Sequence, residues 1–126
     1  MVVIDDDPLV LDGMSGLLQS WGCEVLTAET GGAALAGLAE CERPPDLIVS
    51  DYHLPGGQLG IEVIDDLRTT LAARIPAFLL SGDTDVRQLR RANASGLHLL
   101  YKPVDPMALR AVFAQVLAKD GRSALR

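Results

Sequence analysis

Residues 47–56 read LIVSDYHLPG. Leu47, Ile48 and Val49 form a short unbroken apolar run, the mark of a strand covered on both faces. The run passes into Ser50 and Asp51. A loop with Pro55, Gly56, Gly57 and Gly60 then leads to a helix whose Ile61, Ile64, Leu67 and Leu71 recur at three- and four-residue steps. Strand, carboxylate, loop and amphipathic helix form one unit, and the unit repeats in both directions along the chain.

Toward the N-terminus, Val2, Val3 and Ile4 predict a first strand, followed by Asp5, Asp6 and Asp7. Pro8 opens a helix carrying Val10, Met14, Leu17, Leu18 and Trp21, and Gly22 ends it. Glu24 to Ala28 predicts a second strand. A helix of small residues from about Gly32 to Cys41 turns Leu35 and Leu38 inward until Pro44 and Pro45 stop it. Toward the C-terminus, Pro76 marks a break and Ala77 to Leu80 a fourth strand ending at Ser81. Gly82 and Asp83 precede a short helix around Val86 and Leu89 with a thin inner face. Leu97 to Tyr101 predicts a fifth strand ending at Lys102. Asp105 and Pro106 then open a last helix with Leu109, Val112, Phe113, Val116 and Leu117. Five βα units predict an α/β fold: one five-stranded parallel sheet, doubly wound, with helices on both faces because crossovers are right-handed. No linker or repeat interrupts the pattern, so residues 1–126 are expected to be a single domain.

The composition agrees. A chain of 126 residues, 48% apolar, can bury one core. Its net charge of −6 argues against a nonspecific grip on nucleic acid. No apolar stretch approaches the ~20 residues of a membrane span and no basic signal-peptide region opens the chain. A cytoplasmic location without membrane contact is therefore expected for this segment. Cys23 and Cys41 lack disulfide or zinc spacing and are expected to be buried reduced thiols.

Ligands of open parallel sheets bind beyond the carboxyl ends of the strands, where the strand order reverses. At those ends stand Asp5 to Asp7, Asp51, Ser81 and Lys102. Singly, each has an ordinary explanation as an acidic turn, a cap, a turn hydroxyl or a surface lysine. Jointly they form a charged site at one edge. If the first strand lies beside the third, Asp5, Asp6 and Asp51 converge, and carboxylates so close require a counter-charge. Mg²⁺ fits: a hard cation that takes a few oxygens, keeps waters and completes its shell with a phosphate oxygen. A phosphoryl group is the implied ligand.

At these residues the sequence resembles the receiver domain of two-component response regulators, over essentially its whole length. IDDDP is similar to the family's acidic pair, LIVSDYHLPG to its phosphoacceptor segment, LLSGD to its hydroxyl-bearing strand end and YKPV to its lysine-proline element. The resemblance implies a flavodoxin-like (βα)5 sheet of order 2-1-3-4-5. It implies Asp51 as phosphoacceptor, Asp6 as a direct Mg²⁺ ligand, Asp5 as a ligand mainly through water, and the main-chain carbonyl of His53 as a further ligand. Ser81 would hydrogen-bond the phosphoryl oxygens and Lys102 would pair with the phosphoryl group or with Asp51. The bond between Lys102 and Pro103 is expected to be cis, and Asp7 to cap the first helix. The implied donor is the phosphohistidine of a histidine kinase or histidine phosphotransfer domain, and the implied activity is limited to the domain's own phosphorylation and dephosphorylation.

One place departs from the family pattern. Three residues before the lysine, where the family often has Tyr or Phe, stands Leu99; Tyr101 is expected to project differently. A homodimer or partner surface is expected on the fourth and fifth helices, with Val86, Leu89, Arg90 and Arg110. The start at Met1 directly on the first strand, with the wording SDYHLPGG and LLYKPV, resembles a receiver excised from a hybrid sensor histidine kinase, while a stand-alone regulator is the alternative. A Mg²⁺-dependent phosphatase of the haloacid dehalogenase type is the rival of another class. It expects an acid two residues after its nucleophile, where this chain has His53.

Overall fold

The computed structural model describes residues 1–82 and 85–119. Asp83 and the inward side chain expected of Leu117 lie outside the described residues. The strands are β1 (Val2–Ile4), β2 (Leu26–Ala28), β3 (Ile48–Asp51), β4 (Ala77–Ser81) and β5 (His98–Tyr101). Between them run α1 (Pro8–Ser20), α2 (Gly31–Ala39), α3 (Gly60–Thr70) and α4 (Val86–Ala94), and α5 (Pro106–Lys119) follows β5. All five strands pair in parallel in the order β2-β1-β3-β4-β5, as expected.

β1, β3 and β4 are buried throughout because helices cover both faces. On one face Leu11, Met14 and Leu18 of α1 pack with Leu109, Phe113 and Val116 of α5 against Val3, Val49, Phe78 and Leu80. On the other, Val63, Ile64 and Leu67 of α3, with Ala34 and Leu38 of α2, cover Val2, Ile4, Ile48 and Leu79. Neighbouring strand residues go to opposite clusters, as the period-two pleat requires.

Caps set the helix starts. Asp7 Oδ1 accepts from the Leu9 N–H at 2.9 Å, Thr30 Oγ1 from Ala33 at 3.0 Å, Asp85 from Arg87 at 2.9 Å and Asp105 from Met107 at 3.2 Å. Gly22, at φ 84°, ends α1 in the left-handed region that glycine tolerates.

Several expectations need correction. β2 is shorter than the run from Glu24: the ladder pairs Leu26 with Val2, while Glu24 is held through its carbonyl, which accepts from the Met1 amino group at 2.9 Å. In α4 the inward residues are Gln88 and Ala92, while Val86 is exposed and Leu89 half-buried. Cys23 is half-buried and Cys41 exposed, the latter because it lies in the turn beyond α2. Arg110 does not join an α4 face: its guanidinium lies 5.5 Å from the centre of the Trp21 ring at the end of α1. Among the described residues no helix is long and apolar enough to cross a membrane.

Candidate phosphoryl and metal site

β1 and β3 are neighbours with Ile4 opposite Ser50, so the next residues, Asp5 and Asp51, end side by side at the carboxyl edge. Each of Asp5, Asp6 and Asp51 offers a carboxylate oxygen, and these oxygens lie within 4.8 Å of one another. Asp5 is buried, Asp51 is 8% exposed, and Asp6 is open to solvent. Asp7 turns away to cap α1, but its N–H donates to Asp5 Oδ1 at 2.9 Å and holds that carboxylate in place.

Lys102 enters from the far side of β4. Its N–H donates to the Ser81 carbonyl at 2.8 Å, anchoring the backbone after β5, and the bond to Pro103 is cis as expected. Its flexible stem carries Nζ to 2.8 Å from Asp5 Oδ2 and 3.2 Å from Asp51 Oδ2. Asp5 Oδ2 is buried and makes no well-formed hydrogen bond, so the contact with Lys102 is one of charge and leaves lone-pair capacity unused.

These charges perturb one another. Burial, then the charge of Asp5, raises the Asp51 pKa above the ordinary carboxylate value, and Lys102 only partly offsets them. For Lys102, burial alone would lower the pKa, but the carboxylates of Asp5 and Asp51 outweigh it and hold the ammonium above its usual value. The acid cluster is therefore under-neutralised by its single lysine. Mg²⁺ suits the vacancy of charge: oxygens about 2.1 Å from an ion span roughly 3 to 4.2 Å across an octahedron, close to the separation limit found here.

Three residues of the site carry no motif of their own. Gly60, the first residue of α3, donates its N–H to the Tyr52 carbonyl at 2.8 Å. A Cβ on Gly60 would lie 2.2 Å from the Asp51 carbonyl oxygen, so only glycine lets α3 close on the acid-bearing backbone. Ser50 Oγ donates to the same Asp51 carbonyl at 3.0 Å. Gln88, 6% exposed, accepts from Ser81 Oγ at 2.6 Å through Oε1 and meets His53 Nε2 at 3.0 Å through Nε2. A Gly after a loop is a weak hint of close approach; nothing in the sequence marks Ser50 or Gln88.

Leu99 is half-buried on the cluster that includes Ala92 of α4. By strand alternation Tyr101 shares its face, which corrects the expectation that the two project differently; Tyr101 is 39% exposed. A hollow lined by Arg68, Arg74 and His98 lies at the opposite edge of the sheet, away from the acids.

The family model described as response regulator receiver domain matches residues 1–114. Protein PilH of Pseudomonas aeruginosa is 31% identical over 121 residues, 94% of this chain and 97% of that protein. Transcriptional regulatory protein KdpE of Mycobacterium tuberculosis is 41% identical over 85 residues, 68% of this chain, which spans 35% of KdpE. Among solved structures, chemotaxis response regulator CheY4 of Vibrio cholerae superposes with a TM-score of 0.77 at 29% identity, covering 92% of this chain and 96% of that one.

Proposed function

The chain belongs to the response regulator receiver domain family, and from that membership we propose that Asp51 is its phosphoacceptor, taking a phosphoryl group from a partner's phosphohistidine. The observation that carries this reading is the meeting of Asp5, Asp6 and Asp51 within 4.8 Å, with Lys102 Nζ paired to two of them. A carboxylate oxygen of Asp51 attacks phosphorus, the P–N bond to the donor imidazole breaks, and an acyl phosphate forms on Asp51. Lys102 then pairs with the added oxygens, and the Ser81 hydroxyl donates to one of them. Water later cleaves the acyl phosphate, so the domain acts as a timed switch rather than as an enzyme on other substrates.

Asp6, Asp51 and the main-chain carbonyl of His53 would hold Mg²⁺ directly, and Asp5 through water. Bound there, Mg²⁺ supplies charge neutralisation on the phosphoryl oxygens. The donor is a histidine kinase or histidine phosphotransfer domain. The same chemistry serves a free-standing regulator of PilH's length and a receiver within a longer chain such as a hybrid sensor kinase; on either reading residues 1–126 act as one receiver unit.

Incubation with acetyl phosphate and Mg²⁺ followed by intact-mass measurement tests this reading. One phosphoryl adduct on the wild type, absent from Asp51→Asn, is expected. An adduct that survives in Asp51→Asn, or sustained turnover of a phosphomonoester, would overturn it.

A further inference from the structure

Leu99 brings neither a ring nor a hydroxyl to the α4 side of β5, and Tyr101 on the same face is 39% exposed, yet α4 is tied to the site by another group. Gln88 is one of two buried residues on α4, the other being the small Ala92. Its amide oxygen accepts the Ser81 hydroxyl proton at 2.6 Å. Its amide nitrogen, which can only donate, lies 3.0 Å from His53 Nε2. One side chain thus joins the end of β4, the loop two residues after Asp51, and α4.

A serine hydroxyl has one proton, and here it is committed to Gln88. It cannot donate at once to Gln88 and to a phosphoryl oxygen on Asp51. When the proton leaves, the Gln88 carbonyl is left buried without that donor, an unfavourable state that α4 relieves by moving or by turning the side chain outward. Little apolar surface resists this, because Val86 is exposed and Leu89 half-buried.

Resting on the phosphoacceptor reading above, we infer that Gln88 is the positioning residue that reports phosphorylation to α4. Its amide holds the Ser81 proton in the resting chain, and phosphorylation breaks the Ser81–Gln88 bond and loosens the helix.

The test measures affinity for beryllium trifluoride, a phosphoryl mimic, in the presence of Mg²⁺, by NMR titration of the full chain. Wild type, Gln88→Met, Ser81→Ala and the double variant form a cycle. Gln88→Met removes a bond that competes only in the resting state, so it should bind about two- to tenfold tighter. It should change nothing in the Ser81→Ala background, because it acts through that hydroxyl. Unchanged or weaker binding, or an equal effect without Ser81, would overturn the inference. The wild type supplies a measurement that needs no variant: the Gln88 side-chain NH₂ resonances and the amides of residues 86–94 should shift as the adduct forms, and if they stay still Gln88 is no reporter. A wild type that takes no adduct at Asp51 overturns the phosphoacceptor reading and this inference with it. A wild type that takes the adduct while Gln88→Met is unaffected overturns this inference alone.

Discussion

Gly60→Ala tests how the acid-bearing backbone is held. The added Cβ would lie 2.2 Å from the Asp51 carbonyl oxygen, 2.9 Å from Leu79 Cδ2 and 3.0 Å from Ser50 Oγ. Leu79 can rotate, but a main-chain oxygen at the end of β3 moves only with its strand, so the α3 start and the end of β3 must separate by roughly 0.8 Å to reach even a tight contact. That displacement stretches the 2.8 Å bond from Gly60 N–H to the Tyr52 carbonyl. Overpacking of this kind costs about 1–3 kcal/mol, and a weakened hydrogen bond adds up to about 1 kcal/mol. The better helix propensity of alanine returns at most about 1 kcal/mol. A net loss of about 2 kcal/mol is expected, or a fall in Tm of roughly 10 °C. Urea unfolding at constant m measures it. Because the shifted atom belongs to Asp51, phosphorylation by acetyl phosphate should also slow, up to about a hundredfold for ~1 Å of misplacement. A variant within about 0.5 kcal/mol of wild type, with unchanged phosphorylation, would refute the close-approach reasoning.

Other outcomes follow from the same structure. Lys102→Met leaves Asp5 buried without its counter-ion and should cost about 2–3 kcal/mol at neutral pH in metal-free buffer, part of it recovered by Mg²⁺. Because the Lys102 pKa is raised on folding, that stabilisation is present below the unfolded value of 10.5 and lost as pH rises through the folded value. Thermal melts of the two proteins should therefore converge at high pH. Asp51 has its pKa raised above 3.8, so the folded state loses stability as pH rises through the folded value. In EDTA, Asp51→Asn should melt above wild type at pH 7, with the gap closing near pH 3; a gap constant across that range would contradict the charge crowding. Mg²⁺ at ten times its Kd should stabilise the wild type by about 1.4 kcal/mol, and Asp6→Asn should respond far less in the same thermal scan. Gly13→Ala, in an open helical position, and Ala72→Gly, at φ 51° beyond α3, should each stabilise by about 0.5–1 kcal/mol in urea unfolding, though they are opposite substitutions.

Legibility in the sequence follows how local the cause is. The runs at 2–4, 47–49 and 77–80 are apolar because both faces of a central strand are covered, so those strands are plain from composition alone. Edge strands are not: where β2 starts depends on where β1 begins, a fact of pairing. The caps Asp7 and Asp105 act within three residues and were readable. The inward face of α4 was not, because the side chain that faces the site is a glutamine that only a tertiary partner, Ser81, makes worth burying.

What the sequence determined by itself was the alternation of strand and helix and the charged residues closing the strands, since both are written in the spacing of neighbours. Only the tertiary structure decided that Lys102 reaches Asp5 as well as Asp51, that α3 closes on Asp51 through a glycine, and that Ser81 is held by Gln88. Those contacts join residues remote in the chain, and they exist only once sheet order and register have set which strand ends meet.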